Sequence, residues 1–474
     1  MRRSCVVIGG GIAGMSAALL LARQGLGVTL VEKAPSLAPL VRGFRRKGIH
    51  FDTGFHHTGY LAQGEVLDRA FRLMGVSGLE SFPLGENGNQ RVVVEGGPAT
   101  GYPFPSGFSR VQDILGDFFP RERSALRTYL NALQAAQDSS PYLAPGGGGR
   151  NVAPYPDATL ADVLDDLFAD VRLKSILASQ VLYHGVAPAA VPFVFHAWVG
   201  AAAIRSLRGV KGGGEALTEA FERALGNVDV RVETGAGVNG ITVTPAGTLS
   251  GVCLDDGRLL TADTCISTIH PSLLVDLVPP GCFRPAYLHR LAGLAESPRA
   301  AMVFGMLPGH DDANYLKSWL ILNSHDPNKW FAGTIGENPG ALSVMVSTSC
   351  EAGRSAGLEL AACGCRDGSK HEITNQITSY FNKMMPEFSR EAVYLDSATP
   401  STFSRFANSP FGSYYGPKHA LGVHPPQPRT RLSGLYLAGQ AVVAPGIAGA
   451  VISACVVVDT LLGADTTLKE LRRC

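Results

Sequence analysis

The sequence carries little charge and almost no excess of either sign. Of 474 residues, 41 are Lys or Arg and 40 are Asp or Glu, a formal net charge of +1. A chain that grips nucleic acid carries a basic excess, so that class is set aside. Charged residues make up 17% against 45% hydrophobic, below the usual ~25% charged, which excludes a disordered, solvating chain. A disulfide framework is also missing: nine cysteines, an odd number, are scattered over a long chain, as expected of reduced thiols in the cytoplasm. Their tightest group is Cys350, Cys363 and Cys365, with His371 nearby. The Cys-Gly-Cys spacing is shorter than that of zinc ligands, and no second pair follows. A Gly-rich surface loop is expected there, and no metal. No export signal develops after Met1-Arg2-Arg3-Ser4, because glycines follow at once. Residues 186–204 and 441–458 hold no formal charge, but a spanning helix needs about 20 apolar residues. Pro188, Pro192 and His196 interrupt the first, and Ala444-Pro445-Gly446 breaks the second. Buried core or a shallow membrane-facing surface is the expectation for both.

What is abundant is glycine, 56 residues, well above a typical ~7%. It has no collagen period, so it belongs to turns and close backbone approaches. The length allows roughly three domain-equivalents of about 150 residues. Residues 4–8 read as a buried strand, 12–25 as a helix stopped by Gly25, and 27–32 as a second strand. A right-handed crossover makes the two strands parallel. A helical stretch follows over about 108–180, with a loop tip at 145–149. A helix is expected over 215–226, then short strands at 228–233, 238–243, 249–255, 258–262 and 264–269, with Asp256-Gly257 as a hairpin turn. Residues 276–424 are mixed and rich in turns. The chain closes with a strand at 433–438, a Gly-rich turn and an apolar helix. No internal repeat is evident. The pattern predicts a nucleotide-binding domain in three segments, 1–95, 205–275 and 425–474, with a second domain from 96–204 and 276–424.

Between the first strand and helix, Gly9-Gly10-Gly11-Ile12-Ala13-Gly14 holds G-x-G-x-x-G. Gly9 allows the tight turn, Gly11 lets a pyrophosphate approach the backbone, and Gly14 lets helix and strand pack closely. The pyrophosphate would lie on the helix N-terminus, where free N–H groups and the dipole favour anions. Glu32 ends the second strand, near the spacing of ~20 residues at which an acid meets the ribose. A carboxylate there disfavours a 2′-phosphate, hence NADP. FAD and NAD share this fingerprint, and the residues alone leave the two open.

The fingerprint, the segment Gly48-Ile49-His50-Phe51-Asp52-Thr53-Gly54-Phe55-His56, and the tail Gly434-Leu435-Tyr436-Leu437-Ala438-Gly439-Gln440 with Pro445-Gly446 together resemble the phytoene desaturase family of flavoproteins. That family includes carotenoid desaturases, carotenoid isomerases and retinol saturases; the Phe-Asp-Thr-Gly-Phe-His and Ala-Gly-Gln forms are more similar to the saturase and isomerase side. The resemblance is strong at both ends, moderate over 205–275 and loose over 276–410. It implies an α/β fold: a doubly wound Rossmann-type domain in three segments that binds FAD, with an inserted α+β substrate domain. It implies that Gly9, Gly11 and Gly14, with Ile12 and Ala13 between them, cradle the pyrophosphate, and that Glu32 and Lys33 lie at the adenosine ribose. Arg42 would reach phosphate, the Val238 backbone would meet adenine, and Gly439 and Gln440 would lie near the ribityl chain. His56 would stand beside the cofactor. The helix start Pro445-Gly446-Ile447 would point at the flavin pyrimidine edge, where reduced flavin carries negative charge. Two departures stand out: Ser36-Leu37-Ala38-Pro39-Leu40-Val41-Arg42 lacks the family's paired glycines, and Gln440 replaces a common Asp.

The implied activity is that of an FAD-dependent oxidoreductase or isomerase acting on carbon–carbon double bonds of an apolar polyene, isoprenoid or lipid. The change is saturation, desaturation or cis–trans isomerisation. The alternatives are an amine-oxidase-like flavoprotein, with an aromatic cage at the flavin, and an FAD-retaining binding protein without catalysis. Expected partners are the apolar substrate and an electron acceptor or donor (quinone, oxygen or a reductase), with no nucleic acid. Expected location is the cytoplasm, with peripheral membrane contact. Catalytic residues are not assigned. His56 and His57 read chiefly as packing or cofactor contacts, His184 as a satisfied core residue, and Lys211-Gly212-Gly213-Gly214 as a turn before a helix. Tyr414, Tyr415, Lys418 and His419 are candidates for the flavin pocket. The uncharged Val186, Val191, Phe193, Val194, Phe195 and Trp198 are expected to wall an apolar tunnel.

Overall fold

The computed structural model describes residues 3–84, 90–144, 152–309, 317–331, 338–347, 355–363 and 368–474. The expected loop tip at 145–149 and the pair Cys350 and Cys365 lie outside the described residues.

Five parallel strands form the first sheet, in the order Leu435–Leu437, Thr264–Ser267, Ser4–Ile8, Gly27–Glu32, Val230–Thr234. The strands are drawn from three stretches far apart in the chain. Successive side chains of a strand face opposite ways, and Ser4–Ile8 shows the consequence. Cys5 and Val7 pack with the helices Ile12–Arg23, Gly213–Gly226 and Gly446–Leu462. Val6 and Ile8 pack on the other face with the antiparallel strands Val238–Val243 and Leu249–Leu254. Ile12–Arg23 is buried from Ile12 through Leu21, which is why its sequence is apolar almost all round. This is an α/β, Rossmann-type arrangement.

A second, seven-stranded sheet runs Val393–Ala398, Ala300–Pro308, Ser355–Cys363, Ala341–Ser347, Lys317–Leu322, Gln90–Val93, Tyr102–Pro103. Only Lys317–Leu322 and Gln90–Val93 pair in parallel. Gln90–Val93 therefore sits in this sheet, although the sequence placed it before the boundary at 95. One face packs on the helix Lys370–Met384 through Ile373, Ile377, Tyr380 and Phe381. Helices between Phe108 and Arg205 form a third layer around Tyr129, Leu133, Leu177 and Phe193.

The expected Gly-rich loop around Cys363 and His371 is corrected: Cys363 ends a nine-residue strand and His371 lies in the first turn of a 15-residue helix. Long-range pairing to Ala300–Pro308 and Ala341–Ser347 fixes that strand, and no local pattern announces it. Among the described residues no group of three His, Cys, Asp or Glu could hold a metal, and no helix is long and apolar enough to cross a membrane. Residues 186–204 bend into two short helices, Phe193–Val199 and Ala202–Arg205.

Candidate functional site

The carboxyl edge of the parallel sheet gathers the glycine turn, Glu32, Thr268 and Gly439. Ligands of open α/β sheets bind at this edge, where the strand order reverses. Gly9 has φ +102°, and a Cβ there would lie 2.5 Å from Thr268 Oγ1. Thr268 in turn donates to the carbonyl of Ile8 at 2.9 Å. A Cβ on Gly14 would lie 1.8 Å from the Gly9 carbonyl oxygen, so only glycine lets helix and turn touch. Gly11 is different: a Cβ there meets nothing within 4 Å. The helix Ile12–Arg23 begins at Gly11 with no side-chain cap, leaving its N–H groups and positive dipole end for an anion. Open space above a bare helix start fits a pyrophosphate.

The Glu32 carboxylate is fixed at the strand end. It accepts from Gly10 N–H at 2.6 Å and from Ala34 N–H at 2.8 Å. The Glu32 carbonyl holds Ala236 N–H at 3.0 Å, which brings the start of Val238–Val243 alongside. A Cβ on Gly237 would stand 3.6 Å from Lys33 Cγ, so Glu32, Lys33 and Val238 converge. Arg42 is engaged elsewhere: its guanidinium pairs with Glu222, and its Nε donates to the Leu37 carbonyl. In the loop without paired glycines, Ala38 takes a left-handed backbone, φ 47°, and its N–H donates to Gly10 O at 2.9 Å. On the far side of Thr268, Gly439 has φ +104° and donates its N–H to buried Ser453 Oγ at 2.6 Å. The Gln440 carbonyl accepts from His419 Nε2 at 2.8 Å. Pro445 precedes a second uncapped helix, Gly446–Leu462, and a Cβ on Gly446 meets nothing within 4 Å.

That second helix start opens on a cavity of about 390 Å³. Pro445, Gly446, Ile447 and His56 line it, so four expected cofactor contacts meet one space. Its floor is one face of the seven-stranded sheet: Leu320, Ala341, Ser343, Met345, Ala361 and Cys363. Among the described residues, no Asp, Glu, Lys or Arg lines it. Its phenols are committed. Tyr414 donates to Thr53 O, Tyr415 to Leu182 O at 2.7 Å, Tyr60 to Trp198 O at 2.9 Å and Tyr142 to Asp459 at 3.1 Å. Tyr183 accepts from Gln90 at 2.6 Å and stands 3.2 Å from His57 Nε2. His56 Nε2 lies 2.8 Å from Glu359 Oε2, off line for a hydrogen bond in this conformation. Burial pushes His56 down to about 3 and His57 to about 4, and pushes Glu359 well above the carboxylate range. Desolvation thus favours a neutral imidazole against a neutral acid. Asp52, also raised by burial, accepts from Gly214 N–H at 2.7 Å and stands 3.1 Å from His50. It anchors the Lys211–Gly214 turn.

The expected tunnel wall is corrected. Of its six residues only Trp198 lines the cavity, joined by Val199, Ala202 and Ala203. Val186, Val191, Phe193 and Phe195 are buried in the helical core, because a helix turns only one stripe toward any surface. Phe195 stacks on His419 at 4.7 Å, and His184 is buried 3.2 Å from His196. Tyr414 and Tyr415 do line the cavity; Lys418 and His419 do not. Sequence reasoning missed Thr268 and Glu359. The latter had a signal, a lone acid in the otherwise uncharged strand Ser355–Cys363.

Comparisons with known proteins bear on the family and the fold. All-trans-retinol 13,14-reductase of Homo sapiens is 22% identical over 518 residues, covering 96% of this chain and 85% of that protein. Hydroxyneurosporene desaturase of Cereibacter sphaeroides is 27% identical over 489 residues, covering 92% of each. Among solved structures, an oxidoreductase from Methanosarcina mazei superposes with a TM-score of 0.67 at 15% identity, over 96% of this chain and 100% of that one. Cyclohexylamine oxidase from Brevibacterium oxydans superposes at 0.63 and 17%, over 98% and 100%; at such identities these two show the fold alone. The family described as flavin-containing amine oxidoreductase matches residues 12–462. The chain therefore belongs to that family, and its cofactor is FAD.

Proposed function

We propose that the protein is an FAD-dependent oxidoreductase that saturates or desaturates a carbon–carbon bond of an apolar polyene. The observation that carries the reading is the cavity: it reaches the Gly446 helix start and holds no charged side chain among the described residues. A protonated amine needs a counter-charge to offset its desolvation, and among the described residues the lining offers no carboxylate. A polyene needs apolar area, at roughly 25 cal/mol per Å², and few polar groups. The relatives named for retinol and for a carotenoid support the same class.

Bound FAD supplies two-electron exchange with the substrate. The chain holds it and shapes its surroundings. In this reading Gly9, Gly11, Ile12, Ala13 and Gly14 take the pyrophosphate, and Glu32, Lys33 and Val238 the adenosine. Gly439 and Gln440 take the ribityl chain. The bare N–H groups after Pro445 favour negative charge on the ring system. Arg42 joins only if it leaves Glu222. The FAD-binding part comprises 1–95, 205–275 and 425–474, less the strand Gln90–Val93, and the substrate part the remainder. A quinone, oxygen or a reductase serves as electron partner, and the protein works in the cytoplasm against a membrane surface that delivers the substrate.

The test is anaerobic. Photoreduced FAD in the loaded protein should be reoxidised by all-trans-retinol, and oxidised FAD should not be bleached by benzylamine. Bleaching by the amine without response to the polyene would overturn the reading. Mass spectrometry of small molecules released from the purified protein names the natural ligand.

A further inference from the structure

Most polar groups of the cavity are spent on the protein itself: the phenols of Tyr60, Tyr142, Tyr183, Tyr414 and Tyr415 all have partners. His57 turns Nε2 to Tyr183, and its Nδ1 is enclosed. His56 differs. Its ring lines the cavity, its Nε2 is enclosed 2.8 Å from Glu359, and its Nδ1 is not enclosed. Glu359 shares a strand face with Ala361 and Cys363, both on the cavity floor, by the two-residue period of a strand. It is 2% exposed, and its Oε1 accepts from the Asp52 N–H at 2.9 Å. An acid buried behind an imidazole whose other nitrogen is open is the arrangement that orients a proton-transfer group.

We propose that His56 transfers the proton of the carbon–carbon reaction, with Glu359 as the positioning residue that orients the ring and refills it. This rests on the polyene reading above. In the reducing direction the alkene loses its π bond and gains two C–H bonds. One hydrogen arrives with an electron pair, supplied through the cofactor by the external electron donor. The other arrives as a proton from His56 Nδ1, while Nε2 takes the proton of the Glu359 carboxyl. Glu359 is left as a carboxylate; after product leaves, Nδ1 takes a proton from solvent entering the cavity and Nε2 returns its proton to Glu359, which restores both groups. Desaturation runs each transfer backwards. The burial that keeps Glu359 protonated and His56 neutral sets this starting state, and the 2.8 Å contact comes into line on ligand binding, as loose catalytic contacts do.

The experiment uses FAD-loaded protein with ¹⁵N-labelled histidine. His56→Asn identifies the His56 signals in two-bond ¹H–¹⁵N spectra. Wild type should show a neutral His56 with its proton on Nδ1 at pH 7. Glu359→Gln should keep that tautomer, because its amide still donates to Nε2 and its oxygen still accepts from Asp52, yet it has no proton to release. Reoxidation of photoreduced FAD by all-trans-retinol should then fall about 10²–10⁴-fold in both variants, with FAD content unchanged in Glu359→Gln. A Glu359→Gln protein at the wild-type rate, or a wild-type His56 with its proton on Nε2, overturns the proposal. Wild type that ignores retinol yet shows the Nδ1 proton counts against the polyene reading and supports the pair.

Discussion

Replacing Gly11 by alanine should leave the fold standing and remove the cofactor, whereas the same change at Gly14 should damage the fold itself. At Gly11 the backbone is extended, φ −72° and ψ 179°, open to any residue, and the new methyl meets nothing within 4 Å. Alanine is a poorer helix N-cap by about 1 kcal/mol at most, and the lost freedom of the unfolded chain returns about 0.4–1 kcal/mol. The two nearly cancel. The methyl then projects into the space assigned to pyrophosphate. At a free FAD concentration 100 times Kd, binding stabilises the folded state by about 2.7 kcal/mol, and this increment should vanish. At Gly14 the methyl would lie 1.8 Å from a backbone oxygen. Helix and turn must part, at a cost in or above the range of about 1–3 kcal/mol for overpacking, with or without FAD. Thermal melts of wild type, Gly11→Ala and Gly14→Ala, each with and without FAD, separate these effects. The assignment is refuted if Gly11→Ala melts as low as Gly14→Ala without cofactor, or if it keeps the full FAD-induced rise.

Three further outcomes are expected. Phe411 holds φ 58° while 69% exposed; Phe411→Gly should relieve about 1–2 kcal/mol of left-handed strain against about 0.5–1 kcal/mol of added chain entropy, so its melting temperature should rise slightly. Phe195→Ala should cost about 3–5 kcal/mol in urea unfolding without altering polyene selectivity, while Trp198→Ala should alter selectivity; a Phe195→Ala protein of wild-type stability with changed selectivity would reverse that assignment. Burial holds His196 at about 3 and His184 well below the ordinary histidine range. Both stay neutral in the folded chain and protonate in the unfolded one, so their contribution is intact above about pH 6.5 and is lost as pH falls below it. The loss is about 1.4 kcal/mol per pH unit for each. Urea unfolding from pH 7 to 4 should show this fall, and His196→Gln should lessen its slope by about 1.4 kcal/mol per pH unit, leaving the share of the other buried histidines.

The glycine turn at the sheet edge was legible because its physics is local. A G-x-G-x-x-G turn between a strand and a helix states its own backbone needs, and Gly9 and Gly14 meet them. Arg42 shows the limit of such reading: Glu222, far along the chain, captures its guanidinium. The cavity was less legible. The apolar content of 186–204 was plain, but which stripe of a short helix faces the cavity depends on what packs behind it, and Phe195 and Trp198 part there. Glu359 was hidden for a related reason: its face is chosen by pairing with Met345 and Phe304, which no neighbouring residue announces.

The cavity floor is also one side of a two-sided sheet. In Ala341–Ser347 and Ser355–Cys363, Leu342, Val344, Leu358, Leu360 and Ala362 point to the helix Lys370–Met384. Between them, Ala341, Ser343, Met345, Ala361 and Cys363 point to the cavity. Adhesion and shape are thereby written on alternate letters of the same strands. Mutational drift on the second set can widen, shorten or bend the binding space while the first set keeps the sheet fastened and the cofactor edge untouched. A bulkier residue at Ala341 or Ala361 fills part of the cavity; a smaller one at Met345 enlarges it. Such a layout gives a lineage a short route from one cavity shape to another through single substitutions, none of which has to pass through an unfolded intermediate.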